Sequence, residues 1–195
     1  KPCDIVIPDQ FIDRTHQRPL TFFSNGVVAH ISMANPFCNI LSKILTEEIK
    51  PLLNKDKQLH IGGTYLSMEG PAFSTKAESN LYRTWGCSII GMTNHTESRL
   101  AKEAEIAYSS LSMVTDYDCW NQNCENVSVD LVIENLKENA SFAKMIILAV
   151  SKRVSECRPS SPFHNALKDS LVTHKDHVPD ITKEKTNLIT HKYWN

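Results

Sequence analysis

Short apolar runs of strand length alternate along this chain with stretches whose apolar residues recur at helical spacing, and that alternation limits the fold more than any single motif. Strands are predicted at Cys3 to Ile7, ended by Pro8, at Val27 to Ile31, at Ser88 to Met92 and at Tyr108 to Val114. Leu59 to Met68 reads as a strand or strand pair, bent at Gly62-Gly63. The first helix spans Asn39 to Leu53, with Ile40, Leu41, Ile44, Leu45, Ile49 and Leu52 on one side. Pro51 ends or kinks it. Thr75-x-x-Glu78 is a capping box that opens a second helix, and Gly86 supplies its left-handed stop. Glu97 to Ile106 forms a third helix. Ser128 caps a long one whose apolar positions are Val129, Val132, Ile133, Leu136, Ala143 and Ile147. Asp9 to Arg18 is polar with an embedded Phe11-Ile12, and Thr93 to Thr96 reads as a polar loop. This order is that of an α/β domain.

The expected division is a domain over 1–150 and a C-terminal helix and tail over 151–195, with a helix at Phe163 to Val172 and then disorder or a surface arm. The 195 residues are enough for one large domain with a real core. A net charge of -1 offers no basic surface to nucleic acid or an anionic membrane. No apolar run reaches the length of a membrane span. The six cysteines form no Cys-x-x-Cys pair, which fits reduced thiols in a cytosolic protein. Cys119 and Cys124 have no matching second pair, so no zinc site is expected. The chain starts Lys1-Pro2-Cys3 without an initiator Met and reads as a fragment.

In α/β domains ligands sit outside the C-terminal ends of the strands. Three loops have that position: Glu69 to Ser74, Met92 to Thr96, and Thr115 to Trp120. The last carries Asp116 and Asp118 directly after a strand-like run. Extended backbone points residues i and i+2 the same way, so both acids could face one target. Asp is averse to strands, which favours a role in chemistry or capping. A base offering one ring nitrogen and one amino group would suit the pair. Spacing alone leaves a turn with two solvated acids equally open. His30 lies in an apolar run, where a histidine is more often a satisfied core residue than a ligand.

The residues Gly63-Thr64-Tyr65, Glu69-Gly70-Pro71, Phe73-Ser74, Ala77-Glu78-Ser79, Arg83-Thr84-Trp85-Gly86, Gly91-Met92-Thr93, Glu97 and Thr115-Asp116-Tyr117-Asp118-Cys119-Trp120 closely resemble the 5'-methylthioadenosine phosphorylases. These belong to the purine nucleoside phosphorylase superfamily. Asp4 to Ile7, Asp9 to Thr15, and His30-Ile31-x-Met33-Ala34-x-Pro36-Phe37-Cys38 fit the same family. The resemblance runs from about Cys3 to Val150. It implies one α/β domain around a distorted mixed central β-sheet flanked by helices, assembled as a homotrimer. It implies phosphorolysis of methylthioadenosine to adenine and 5-methylthioribose 1-phosphate, in purine and methionine salvage. No cofactor is implied, inorganic phosphate being a co-substrate. The implied partners are methylthioadenosine or adenosine, phosphate and adenine, with no nucleic acid and no membrane. The implied location is the cytoplasm, with the nucleus as a further compartment.

The resemblance also assigns roles. Asp116 serves N7 of the leaving base, and Asp118 accepts from its 6-amino group. To give N7 a proton near neutrality, Asp116 must be kept protonated by burial or by its neighbour's charge. The related 6-oxopurine enzymes carry Asn where this chain has Asp116. Phe73 packs on the adenine ring and Ser74 touches the base. Met92 lies under the ribose, and Thr93 binds phosphate near a helix start. Val129, Val132 and Ile133 form an apolar pocket for the 5'-methylthio group, which plain core packing would explain equally well. His30 reaches that pocket across a subunit boundary. The family carries roughly a third more sequence before this start, including further phosphate-binding residues. Ala72 stands where the family has Arg, and Asn94-His95-Thr96 replaces a stretch that usually ends in Pro. The first removes a charge beside the base site, and the second is expected to loosen the loop after Thr93. An adenosine-accepting phosphorylase, a nucleosidase using water, and a non-catalytic subunit that kept the fold are the rival readings.

Overall fold

This computed structural model describes residues 1–121 and 129–194, with only the backbone of 129–132. Ser128 and Cys124 lie outside the described residues, and so do the side chains of Val129 and Val132. The architecture is mixed α/β, and the strands fall into two three-stranded sheets. In the first, β1 (Ile5–Ile7) pairs in parallel with β3 (Leu59–Ile61) and antiparallel with β6 (Ser112–Met113). In the second, β4 (Thr64–Met68) lies between β2 (Gln10–Arg14) and β5 (Cys87–Gly91), all parallel.

All three residues of β1 are buried, as expected for an unbroken β-branched run covered on both faces. Helices α1 (Asn39–Ile49) and α4 (Val129–Cys157) cover it. Ile5, Ile7, Ile49, Phe142 and Ile146 form the shared core, each worth about 2 kcal/mol relative to exposure. Between β3 and β4 the backbone takes φ +86° at Gly62 and +106° at Gly63, a conformation that a side chain would strain. There the chain leaves one sheet and enters the other.

Helix α2 (Lys76–Thr84) opens on the capping box expected at Thr75 and Glu78, both halves of which form. Gly86 follows it with φ +77°. Helix α3 (Asn94–Glu103) starts three residues before the expected Glu97. The residues read as a loosened loop are its first turn, and His95 is wholly buried there. Gln10–Arg14 is a strand that its polar ends concealed. Val27 to Ile31 is not one: its ladder is a single bridge from Ala29 to Leu171. His30 is exposed rather than a core residue.

In α4 the expected apolar stripe is not the buried face. Ile133, Leu136 and Ile147 are 42%, 56% and 59% exposed, while Asn139, Phe142 and Ile146 are buried. The buried face includes asparagines, which a hydrophobic pattern counts against it. The helix also runs past Val150 to Cys157.

The C-terminal stretch is folded. It ends in α5 (Asp180–Trp194), and its Leu167 and Val178 join Phe23 and Val27 in a second core, flanked by Ile189, Tyr193 and Trp194. Glu105 ties it to the end of α3. Its carboxylate accepts from the Lys192 ammonium, the Tyr193 hydroxyl and the Leu167 N–H. Burial alone would raise its pKa, but these three partners outweigh it and hold the acid below its ordinary value of 4.5. Stabilisation from Glu105 is therefore complete above about pH 4.5 and is lost as pH falls through the lower, folded value. Glu105→Gln should lower the unfolding free energy at neutral pH by about 2 kcal/mol and expose α5 to limited proteolysis. Unchanged denaturant midpoints and cleavage rates would refute this anchor.

Candidate active site

β4 and β5 run parallel, so the segments after them leave the sheet at the same end. After β4 comes Glu69-Gly70-Pro71, joined by a cis peptide at Gly70-Pro71. The Glu69 carboxylate accepts from the N–H groups of His16 and Gln17 at 2.6 and 3.1 Å, beyond the end of β2. Arg18 donates to the Glu69 carbonyl at 2.7 Å. Glu69 thus fastens this loop to the chain that follows β2. Met92, directly after β5, lies on the same loop. Its sulfur is 2.8 Å from where a Cβ on Gly70 would stand, and the backbone there takes φ +70°, so a side chain would strain the turn and push the thioether aside.

The third segment, after β6, reaches the same region. β6 has only two residues, but Val114 after it still exchanges backbone bonds with Cys3 and Asp4 at 2.8 and 2.9 Å. Two asparagines of α4 add to that hold. Asn139 donates to the Val114 carbonyl at 2.9 Å, and Asn135 to the Thr115 carbonyl at 2.8 Å. They are one helical turn apart and bond consecutive carbonyls. The Thr115 hydroxyl donates to Asp116 Oδ2 at 2.7 Å. Asp118 is turned toward α2. Its Oδ2 accepts from the buried Ser79 hydroxyl at 2.5 Å, and its Oδ1 from the Cys119 N–H at 2.8 Å. The Cys119 thiol contacts the Ser74 carbonyl at 3.4 Å. The Arg83 guanidinium lies 4.0 Å from the centroid of the Trp120 ring. A carboxylate has about four lone-pair sites, so Asp118 can still accept from a further N–H.

Thr93 is exposed at the start of α3, and its hydroxyl does not cap the helix. The hydroxyl and N–H of Thr93 and the N–H of Asn94 face the Tyr65 phenol. Burial pushes the Tyr65 pKa up, these donors pull it down, and burial prevails. Tyr108 donates to Glu97 at 2.8 Å and to the Asn94 side chain at 3.1 Å; burial first, and then Glu97, drive its pKa upward. Behind this turn His95 Nε2 lies 3.1 Å from the Thr15 hydroxyl and 3.3 Å from Asp13. Burial holds His95 below its ordinary range, against the pull of Asp13.

The structure thus brings together the surroundings of Ser74 and Asp118, and those of Gly70 and Met92. Phe73 stands between them in sequence, 86% exposed. Ile133 lies on α4 with its side chain exposed. His30 is elsewhere, on a cavity of about 350 Å³ that it shares with Arg99 and Glu103. Sequence reasoning missed Ser79, Asn135 and Asn139. Asparagines one turn apart, in line with Phe142 and Ile146, were the available sign. Among the described residues no His, Cys, Asp or Glu side chains form a group of three fit to hold a metal.

The phosphorylase superfamily pattern matches residues 1–152. S-methyl-5'-thioadenosine phosphorylase of Prochlorococcus marinus is 64% identical over 194 residues, covering 100% of this chain and 62% of that protein. The protein of the same name from Thermosynechococcus vestitus is 53% identical, covering 99% of this chain and 67% of that one. This chain therefore spans about two thirds or less of these relatives' length. A crystal structure of methylthioadenosine phosphorylase from an antarctic soil metagenomic library matches with a TM-score of 0.92 at 45% identity, over 97% of this chain and 66% of that one. A mutant adenosine/methylthioadenosine phosphorylase from Schistosoma mansoni, in complex with adenine, matches at 0.72 and 32% identity, over 80% and 61%.

Asn139→Asp should place a carboxylate against the Val114 carbonyl and cost about 3 kcal/mol of unfolding free energy. Urea denaturation measures it, and a loss under about 0.5 kcal/mol would show that the bond carries no weight.

Proposed function

This chain belongs to the phosphorylase superfamily, and on that premise we propose that it serves the phosphorolysis of S-methyl-5'-thioadenosine to adenine and 5-methylthioribose 1-phosphate. The observation that carries this reading is the docking of the Asp116–Trp120 loop on α2, beside the loops that bear Phe73, Ser74 and Met92. The 64% identity to a phosphorylase of that name supports it. The step belongs to purine and methionine salvage, and its setting is the cytoplasm.

In this reaction a phosphate oxygen bonds to C1' while the C1'–N9 bond breaks, and the electron pair passes into the purine. Asp116 gives a proton or a hydrogen bond to N7, which makes adenine the better leaving group. Asp118 accepts from the 6-amino group. Phe73 covers the ring face and Ser74 meets its edge. Met92 floors the ribose. Val129, Val132 and Ile133 line the apolar place for the methylthio group, and His30 approaches it from the neighbouring subunit of a homotrimer. Thr93 is one of the several donors that a phosphate dianion requires. Inorganic phosphate is the co-substrate, and no cofactor takes part. The phosphorylase domain is taken as 1–150 with a C-terminal part over 151–195, α4 running across that boundary to Cys157 and the later residues packing back on Phe23 and Val27.

A second reading is an adenosine-accepting phosphorylase, favoured by the Schistosoma mansoni neighbour named for both nucleosides. Relative kcat/KM on the two nucleosides separates them.

The full-length protein should release adenine from methylthioadenosine only when phosphate is present. Release at equal rates without phosphate would make it a nucleosidase. Asp116→Asn should lower kcat/KM by about 100-fold or more, and an unchanged rate would remove Asp116 from the leaving-group step.

A further inference from the structure

Ser79 has no part in the roles assigned so far, yet it makes the shortest described contact to either aspartate of the site. It is 1% exposed on α2, and its hydroxyl donates to Asp118 Oδ2 at 2.5 Å. The opposite oxygen accepts from the Cys119 N–H at 2.8 Å. Both oxygens of this acid are thus paired with donors from the protein. The backbone N–H can only donate, so Oδ1 serves it as an acceptor.

The rest of the loop is fastened to the same helix. Arg83, one turn beyond Ser79, stacks on Trp120 at 4.0 Å. Cys119 bonds the Ser74 carbonyl just before the helix. The capping box at Thr75 and Glu78 fixes where α2 begins and so where Ser79 stands. Residues 118, 119 and 120 are each pinned to α2 or its entry.

We propose that Ser79 is a positioning and specificity-determining residue: it holds the Asp118 carboxylate in one orientation, so that the site takes purines with a 6-amino group and rejects those with a 6-oxo group. The proposal rests on the phosphorylase reading for the place of the base. A 6-amino group donates to the lone pairs that Asp118 has left. A 6-oxo group brings a second acceptor and leaves both unpaired, which a partly enclosed site penalises. Without the Ser79 hydroxyl, the carboxylate is free to turn, and discrimination falls.

The test compares binding of adenine and hypoxanthine to the full-length protein by calorimetry, alongside kcat and KM on methylthioadenosine. Ser79→Ala should weaken adenine binding about tenfold, leave hypoxanthine within about twofold, and act on KM rather than kcat. Should Ser79→Ala not fold, Ser79→Thr and Ser79→Val supply the same comparison at equal shape. The hydroxyl-bearing Thr variant should keep the adenine preference that the Val variant loses. Equal weakening of both bases, no weakening of either, or equal preference in Thr and Val would overturn the proposal. A wild-type protein that binds adenine but releases none from methylthioadenosine would sink the phosphorolysis reading and leave the role of Ser79 to the base comparison. A wild-type protein that binds neither base would overturn both.

Discussion

Parallel pairing of β4 with β5 is the constraint on which the site depends. Parallel strands send their following segments out of one end of the sheet, so the Glu69 loop and Met92 become neighbours without any long connection. Gly70 then lets the Met92 thioether close on the loop. The third segment arrives from the other sheet, along a strand antiparallel to β1. Its approach is set by backbone and side chains together: Val114 bonds Cys3 and Asp4, and Asn135 and Asn139 grip successive carbonyls from α4. Their position on α4 follows from Phe142 and Ile146, which bury the same face against β1. Core packing and site geometry are therefore one arrangement.

Helix α2 is the platform for that third segment. Its first turn is fixed by a reciprocal cap, which makes the positions of Ser79 and Arg83 predictable from the helix start. Spaced four residues apart, they face one side and meet Asp118 and Trp120. The buried Ser79 strengthens the bond to the carboxylate, while Arg83 lies over the indole from an exposed position. The turn after β5 is held differently. Burying His95 against Thr15 and Asp13 ties α3 to the end of β2, and Thr93 is left at the helix start with its hydroxyl unused as a cap.

The C-terminal stretch adds a second, smaller core. Its polar composition suggested an arm, but Glu105 gathers an ammonium, a phenol and a backbone N–H around one carboxylate. Leu167 and Val178 then cover Phe23 and Val27. Val27 to Ile31 meets the returning chain at a single bridge, with Val28 accepting from Val172 N–H and His30 N–H donating to Ser170, and no strand ladder develops from it.

By itself the sequence determined the α/β order, the buried β1, the first helix with its stop near Pro51, the capping box and the left-handed Gly86. Each rests on contacts within a few residues, where propensity and capping act. The acids at 116 and 118 stood out by type and position, but their spacing left a solvated turn equally open, and their roles rested on the family resemblance alone. Tertiary structure alone decided which face of α4 is buried, since two asparagines there serve carbonyls far away in sequence. It decided that Gln10–Arg14 is a strand, because only pairing with β4 satisfies its polar backbone. It turned Asp118 toward Ser79, across a separation of 39 residues that no local pattern spans. What depends on a neighbour brought in from elsewhere along the chain stays invisible until the chain has folded.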